Sequence, residues 1–418
     1  MTHDAPARGG TKRSLIVIGW YRPGMGLTRV LHSTFRYLAG DWRIDIAAIG
    51  YEGPPIDVDG LRIHPTNLDG SDVIGTYAAI DRFRARGADA VLCFNDVWFM
   101  RRYAQVLRPA IGSTPLVAYV PLDGCFANPE EARGLLAFDA VCAYTTWARD
   151  EFTRAWDLLG VAADDRPSLA IVPHGVDVEA FQPRPELLRS GFDPSARAEA
   201  KRLVFGGEDA TFVVLNASRP DVRKRVDLTL EGFACFARDK PRGVRLCLHH
   251  ALGRSGSGDE FRARAEALGI RDRLLLNPLA EPGTVPSDEQ LNLLYNACDA
   301  GINTAMGEGW GLVSFEHAAA GAPQIVPRHS ACAELWEGHG LLIPAHKRYV
   351  PDFSILELAE VAPADVAAVL QTLYADVGMQ RDLARAAFEY AHRPEFRWEA
   401  VADRWRGVLE RVTTRGNR

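Results

Sequence analysis

The feature that most constrains this chain is a regular alternation of short apolar runs with segments of helical periodicity. The first series of apolar runs comprises residues 14–20, 44–50, 88–94, 115–120 and 138–144. The second series comprises residues 210–218, 244–250, 273–279, 299–305 and 323–327. Short continuous apolar runs are typical of strands buried on both faces of a parallel sheet, with helices as the crossover connections. The pattern therefore predicts an α/β fold with two doubly wound domains.

The segments around these two series set the expected domain boundaries. Residues 1–13 are mostly small and polar and are expected to form a disordered tail. A first domain is expected at 14–183 and a second at 205–385, joined by a linker at 184–204 in a proline-containing stretch without strong periodicity. Residues 386–418 are expected to form C-terminal helices, interrupted at Pro394, that cross back to the first domain.

Charge and apolar content exclude several classes of protein. The formal net charge is −6, so there is no basic surplus for nucleic acid, and no nucleic-acid partner is expected. No run of 18 apolar residues occurs, so at most peripheral membrane contact is expected. The 7 cysteines form no C-x-x-C pair, which favours reduced thiols. The first residues lack the apolar stretch of a secretory signal, and a cytoplasmic location is expected.

Two candidate binding segments follow predicted strands, at the sheet edge where α/β domains bind ligands. Gly24-Met25-Gly26 follows the strand at 14–20 and is either an ordinary tight turn or a contact for an anionic or hydroxyl-rich group. The basic run from Arg219 to Arg225 follows the strand at 210–218. A solvated basic turn is the commoner role of such a run. Lys224 nevertheless stands out, because lysine is rare in this chain.

The third candidate segment, residues 307–317, reads as a glycine-rich turn that leads into a helix. The backbone N–H groups of residues 310–313 are expected at the helix N-terminus, which is a favourable place for phosphate. Glu308 lies on the turn, and Glu316 lies about one turn inside the helix, where its carboxylate can accept hydrogen bonds from vicinal hydroxyls. An acidic residue near a helix N-terminus is also explained by the helix dipole alone.

The segment 307–327 resembles the Glu-x7-Glu signature of retaining GT-B glycosyltransferases of the family 4 type, with Glu308 and Glu316 at the signature's spacing. Other segments resemble parts of the same family in the same order, namely residues 23–26, 143–152, 171–183 and 217–234. The resemblance extends over about residues 15–400, nearly the whole chain. It implies a GT-B fold, in which two Rossmann-like domains face each other across a cleft.

The resemblance also implies roles for individual residues. Arg219 and Lys224 match the positions that neutralise the donor diphosphate, Glu308 would orient the donor sugar, and Glu316 would bind the ribose hydroxyls. The remaining donor-binding positions are Gly24, Gly26, Gly309, Trp310, Gly311, Leu312 and Val313. The implied reaction transfers a sugar from a nucleotide sugar, expected to be a UDP-sugar, with retention of configuration by same-face attack. Neither a metal nor another cofactor is expected, because the cations take the metal's place.

The chain departs from the family pattern after the strand at 244–248, where His249-His250 replaces part of a glycine-rich turn, and at three further places. After the strand at 115–120, where many relatives have a histidine, this chain has Asp123-Gly124. Asp123 either replaces that histidine, contacting donor sugar or acceptor hydroxyl, or belongs to a simple Asp-Gly turn. His174 replaces an asparagine and is expected to pack rather than to act as a base, and Ser330-Ala331 replaces a Gly-Gly pair. These changes leave the sugar and base of the donor open.

The acceptor is expected to bind to the first domain. That domain is net acidic and lacks a basic amphipathic helix, which favours a small soluble metabolite such as a natural product or aminocyclitol. Assembly of a surface glycan or glycolipid is the alternative. Two other classes of function are open on the sequence alone: a sugar-nucleotide epimerase or phosphorylase, and a non-catalytic nucleotide-sugar binding protein.

Overall fold

The computed structural model describes residues 12–66, 70, 72–206, 209–250, 257–279 and 285–415. Residues 1–11 of the expected tail lie outside these ranges. The chain divides into two compact units. The first unit contains the described residues up to Tyr119, together with Gly134–Val141 and the segment that begins at Ala402. The second unit contains the described residues of Val120–Arg133 and Cys142–Val401.

Strands and helices alternate along most of the described chain. The strands are β1 (Arg13–Trp20), β2 (Trp42–Ile49), β3 (Ile56–Val58), β4 (Leu61–Pro65), β5 (Ala90–Phe94), β6 (Leu116–Val120), β7 (Cys125–Phe126), β8 (Ala140–Ala143), β9 (Ser168–Ile171), β10 (Phe212–Asn216), β11 (Val244–Leu248), β12 (Leu274–Leu276), β13 (Ala300–Ile302), β14 (Gln324–Pro327), β15 (Leu341–Ile343), β16 (Ala345–Tyr349) and β17 (Leu356–Val361). The helices are α1 (Gly26–Phe35), α2 (Thr76–Arg86), α3 (Val97–Ile111), α4 (Thr146–Leu158), α5 (Pro185–Arg189), α6 (Ala198–Phe205), α7 (Val226–Ala237), α8 (Ser257–Ala267), α9 (Asp288–Ala297), α10 (Leu312–Ala319), α11 (Ser330–Trp336), α12 (Pro363–Ala375), α13 (Val377–Ala391) and α14 (Trp398–Arg415).

The sheet of the first unit follows the order β3-β4-β2-β1-β5-β6 and is parallel except for the β3–β4 pair. Strand β1 is buried from Ser14 to Gly19, as expected for an interior strand of a parallel sheet. The part of α14 that belongs to this unit contributes Trp405 to its core. The Trp405 ring lies 5.7 Å from that of Phe35 and 5.0 Å from that of Tyr119.

The antiparallel hairpin of β3 and β4 turns at Asp59-Gly60. Both residues have positive φ angles, 49° and 80°. Asp-Gly is a preferred pair for a two-residue hairpin turn that needs this geometry at both positions. The segment Asp57-Val58-Asp59 is therefore part of a hairpin, and Asp57 pairs with Arg62 on β4.

The main sheet of the second unit follows the order β12-β11-β10-β13-β14-β15 and is parallel throughout. Each residue of β10 is buried, and the apolar faces of α7 and α12 pack into the same core. The expectation of an α/β fold with two parallel Rossmann-like sheets is confirmed. The arrangement also brings the loops after β10, β13 and β14 to one edge of the sheet, because the carboxyl ends of parallel strands meet there.

The second unit also contains a small antiparallel sheet that the sequence did not predict. Its strand order is β16-β17-β7, with Leu356 opposite Phe126 and Glu357 opposite Cys125. Gly124 lies against the backbone of β17 so closely that a methyl group there would clash with the Glu357 carbonyl oxygen. This pairing fixes the short segment before β7, which carries Asp123.

Candidate active site

The turn between β13 and α10 carries Glu308. It ends at Gly311, whose φ of 94° is left-handed and which serves as the N-cap of α10. Gly307 packs so closely on the backbone of Asp123 that a methyl group would clash with its carbonyl oxygen. A β-carbon at Gly309 would lie 3.3 Å from Pro121. Glycine is therefore required by close approach at 307 and by backbone conformation at 311.

Glu308 lies in a buried cluster of charges. Its Oε2 atom accepts a hydrogen bond from Lys224 Nζ, and both side chains are only 11% exposed. Arg223 Nη1 lies 4.0 Å from the same oxygen, and Asn303 Nδ2 donates to it over 3.5 Å. Burial by itself would raise the pKa of Glu308, but the charges of Lys224 and Arg223 outweigh burial and lower the pKa to about 2. The carboxylate is therefore ionised at neutral pH.

The cations reach Glu308 because the loop after β10 folds onto the loop after β13. Residues Val222–Lys224 form a 3-10 turn, capped by the Asp221 side chain, which accepts from Arg223 N. The backbone N–H of Met306 donates to the Arg223 carbonyl oxygen over 2.9 Å. The Arg223 guanidinium also donates to the Gly307 carbonyl oxygen. The two loops are thus joined at both backbone and side-chain level.

Asp123 joins the cluster through Arg223. Its Oδ2 atom lies 3.4 Å from Arg223 Nε, and both side chains are largely buried. Asp123-Gly124 serves as a close-packed turn and also as an ionic contact. Gly124 packs against the backbone of β17, and the Asp123 side chain faces Arg223. The structure therefore brings Asp123, Lys224 and Glu308 together, as members of one charge network.

Arg219, which is expected from the sequence to neutralise the diphosphate, lies outside this network. It lies on the same loop, but its side chain is exposed. Arg223 occupies the place beside Glu308 instead. The sequence did not single out Arg223, and the available signal was its position directly before Lys224 in the basic run.

The other predicted donor residues of the second unit lie on α10 or just before it. Leu312 and Val313 form the first turn of α10, where backbone N–H groups lack partners inside the helix. Glu316 is buried, and its Oε2 accepts a hydrogen bond of 2.9 Å from the Tyr295 hydroxyl. Trp310 is also buried, with its ring 4.8 Å from that of Phe315, so its side chain is a core component.

Two further predictions concern Gly24, Gly26 and His174. Gly24 has a φ of 78° and is exposed, and Gly26 is the first residue of α1, both in the first unit. His174 lies in the second unit, with its ring 4.1 Å from that of Tyr144 and 5.5 Å from that of Trp310. Burial lowers the pKa of His174 to about 3. The histidine is therefore a neutral packing residue, as expected.

The described residues contain neither a candidate metal site nor a candidate membrane-spanning helix. Across residues 12–415, apart from the gaps given above, no group of three or more His, Cys, Asp or Glu side chains is placed to hold a metal ion. In the same part of the chain, no helix has both the length and the apolar character needed to cross a membrane.

Comparison with known proteins gave related glycosyltransferases. No protein-family model matches the chain. A D-inositol 3-phosphate glycosyltransferase of Segniliparus rotundus is 30% identical over 244 residues, covering 58% of this chain and 46% of that protein. One of Streptomyces bingchenggensis is 28% identical over 273 residues, covering 64% of this chain and 51% of that protein. The chain thus spans about half the length of these curated relatives.

Solved structures show the same fold over nearly the whole chain. Sucrose-phosphate synthase of Thermosynechococcus elongatus matches with a TM-score of 0.72 at 16% identity, covering 97% of this chain and 100% of that one. Anabaena HepE in complex with UDP and glucose matches with a TM-score of 0.69 at 18% identity, covering 96% and 100%. The solved structures thus show that the chain has the GT-B fold, and the curated relatives and the Glu-x7-Glu segment make it similar to retaining glycosyltransferases of the family 4 type.

Proposed function

We propose that this protein is a retaining glycosyltransferase that moves a sugar from a nucleotide-sugar donor to a hydroxyl group of an acceptor. The observation that carries the proposal is the buried cluster in which Lys224 and Arg223 face Glu308, one short turn before α10. Two fixed cations and a helix N-terminus both favour negative charge, and together they suit a diphosphate. Glu308, held ionised by the same cations, is an acceptor for sugar hydroxyls.

The proposed transfer depends on stabilising the charge that develops on the leaving group. As the bond from C1 of the sugar to the phosphate oxygen breaks, that oxygen keeps the electron pair, and Lys224 and Arg223 neutralise it. The acceptor oxygen forms the new bond to C1 on the same face, and its proton passes to the departing phosphate oxygen. The Glu308 carboxylate offsets the positive charge of the sugar ring. No covalent glycosyl-enzyme is required, in contrast to retaining glycosidases with paired carboxyl groups.

The donor is proposed to be a UDP-sugar. HepE, which shares the fold, has been crystallised with UDP-glucose as well as with UDP and glucose. Glu316 is proposed to bind the ribose hydroxyls, with the Tyr295 hydroxyl orienting its carboxylate. The N–H groups at the start of α10 and the exposed Arg219 are proposed to bind the phosphates, and Gly24 and Gly26 to contact the donor as well.

The acceptor is proposed to be a small hydroxylated metabolite of the cyclitol type. The curated relatives are named for inositol 3-phosphate, which is such a compound. Residues 14–183 are proposed to select the acceptor, residues 205–385 to hold the donor, and the last helices after 386 to return to the acceptor domain. A cytoplasmic location is part of the proposal, because nucleotide sugars are cytoplasmic substrates.

The proposal is tested by ligand-induced stabilisation followed by product analysis. A panel of nucleoside diphosphates and their sugars is screened by thermal shift, where a ligand at 100 times its Kd adds about 2.7 kcal/mol. The donors that bind are then incubated with cyclitols, natural-product glycosyl acceptors and lipid-linked sugars, and products are identified by mass spectrometry. Glu308→Gln is expected to abolish most transfer. Glu337→Gln, at an exposed carboxylate paired with Arg328, is the matched control and is expected to retain it.

Each alternative gives a different result in this assay. An epimerase converts the donor without any acceptor, and a phosphorylase requires phosphate and a glycan. A nucleotide-sugar binding protein shows the thermal shift with no turnover across the whole panel. Transfer only to lipid-linked sugars would refute the small-metabolite acceptor and support the alternative function in glycolipid assembly. Equal transfer by wild type and Glu308→Gln would refute the assignment of the site.

A further inference from the structure

Ser330 has a backbone conformation that is unusual for its residue type. Its φ is 42°, in the left-handed region, at the first residue of α11. Side chains with a β-carbon rarely adopt this region, and such residues persist only where the surrounding structure holds them. Glycine would adopt the same conformation without strain. Ser330 therefore combines a left-handed backbone with a side-chain hydroxyl group.

The hydroxyl group of Ser330 contacts the backbone of Glu308 on both sides. The Glu308 N–H donates to Ser330 Oγ over 3.4 Å, and the Glu308 carbonyl oxygen lies 3.2 Å from the same atom. These contacts hold the peptide groups that flank the α-carbon of Glu308. The position of the Glu308 carboxylate therefore depends on Ser330 as well as on Lys224.

His329 extends the contact to a second point of the same turn. Its Nδ1 lies 2.9 Å from Ser330 Oγ, and its Nε2 lies 2.8 Å from the Ala305 carbonyl oxygen. A carbonyl oxygen only accepts, so Nε2 carries a proton and donates. Burial lowers the pKa of His329 to about 4, so the ring is neutral and Nδ1 accepts. Glu308 N–H donates to Ser330 Oγ, His329 Nε2–H donates to the Ala305 carbonyl oxygen, and the single Ser330 hydroxyl proton is shared between His329 Nδ1 and the Glu308 carbonyl oxygen.

We infer that His329 and Ser330 are positioning residues that hold Glu308 for sugar transfer. The inference rests on the proposed function and goes beyond it, because these side chains act through Glu308 and not on the donor. They fix the glycine-rich turn at residues 305 and 308, so the carboxylate is placed before the donor binds. A misplacement of about 1 Å in a catalytic group can lower the rate by about 100-fold.

The test compares two substitutions that both remove the hydroxyl group. Ser330→Gly relieves the left-handed backbone, whereas Ser330→Ala keeps a β-carbon there. The glycine variant is expected to melt at a higher temperature than the alanine variant. Both are expected to lower kcat by a similar factor, up to about 100-fold. The KM for the UDP-sugar is expected to change less than about threefold, because Lys224 and the start of α10 are intact.

A purely structural role for Ser330 predicts a different pattern. In that case activity would follow stability, and the glycine variant would equal wild type while the alanine variant would lose turnover. That result, or a loss confined to KM, would overturn the inference. Asp59→Gly is the matched control, since it also replaces a left-handed residue with glycine, in the hairpin turn of the first unit. It is expected to leave kcat unchanged.

The outcome is separable from a failure of the proposed function. If wild type releases no UDP and forms no product with any donor and acceptor, the proposed function fails, and the inference fails with it. If wild type is active and Ser330→Gly has wild-type kcat, the inference alone is refuted.

Discussion

Replacing Lys224 with methionine would remove the cation that touches Glu308 and leave the rest of the buried cluster in place. The carboxylate would keep Arg223, whose nearest nitrogen is 4.0 Å away, and the 3.5 Å hydrogen bond from Asn303. Removing one partner of a buried ion pair typically costs about 3–5 kcal/mol, because the other charge stays buried without its partner. Since domains are stable by only about 5–15 kcal/mol, Lys224→Met is expected to be strongly destabilised.

The double variant Lys224→Met/Glu308→Gln separates this structural cost from the chemical role. Both groups are then neutral and similar in size, and a neutral pair in a buried site is often as stable as the ion pair that it replaces. We therefore expect the double variant to recover most of the stability lost in the single variant. Its turnover is expected to stay about 100- to 1,000-fold below wild type, because the charges that stabilise the leaving group and the sugar are gone.

The measurement combines urea unfolding with a transfer assay on the same preparations. Unfolding free energies come from linear extrapolation, and kcat comes from UDP release. If Lys224→Met is too unstable to purify, the double variant still gives both values. A double variant that is stable and also turns over like wild type would refute the catalytic role. A single variant with wild-type stability would refute the interpretation of the cluster as a coupled buried pair.

Three further perturbations have expected outcomes. Because the pKa of Glu308 is lowered from 4.5 to about 2, the stability that its ionised form contributes is complete above about pH 4.5 and is lost as the pH falls towards 2. The full loss is roughly 3 kcal/mol, of which about 2 kcal/mol occurs between pH 5 and pH 3, and urea unfolding at these two pH values should show that Glu308→Gln lacks this component. Arg219→Ala should lower turnover without changing the melting temperature, because the side chain is exposed. Arg223→Ala should lower both turnover and the melting temperature. Equal melting temperatures for the two variants would contradict this expectation. Gly124→Ala should cost about 1–3 kcal/mol by forcing β7 away from β17, while Gly40→Ala, which has nothing within 4 Å of the added carbon, should melt like wild type.

Local patterns were sufficient to predict the two parallel sheets, but not the small antiparallel one. Strand β10 reads Phe-Val-Val-Leu-Asn and is buried at each position, so composition identifies it. Strand β16 reads Ala-His-Lys-Arg-Tyr and is partly exposed, and β7 has only 2 residues. Neither carries an apolar run. The pairing of β7 with β17 depends on contacts between residues more than two hundred positions apart, which no local pattern encodes.

The sequence predicts the site residues that directly follow strands of the sheet. It does not predict the contacts that depend on an unusual backbone conformation. Lys224 and Glu308 follow β10 and β13, which are neighbours in a parallel sheet, so both loops are expected at one edge. The left-handed conformation of Ser330 has no sequence signal of its own, because serine is common in ordinary turns and helix starts. Only the departure from a glycine pair marked the position, and it did not indicate a contact with Glu308.

The basic run after β10 shows why a count of cations overstates the charge available to a donor. Arg223 and Lys224 both face Glu308, but Arg225, the next residue, has a left-handed φ of 47° and begins α7. Its guanidinium donates to Asp227 at 2.8 Å and also pairs with Glu360 on β17. The hydrogen bond to Asp227 raises the pKa of Arg225. Arg225 therefore neutralises Asp227 and Glu360, while Lys224 and Arg223 face two other carboxylates, those of Glu308 and Asp123. A diphosphate would therefore share Lys224 and Arg223 with Glu308 and Asp123, while Arg225 binds the small sheet to the start of α7.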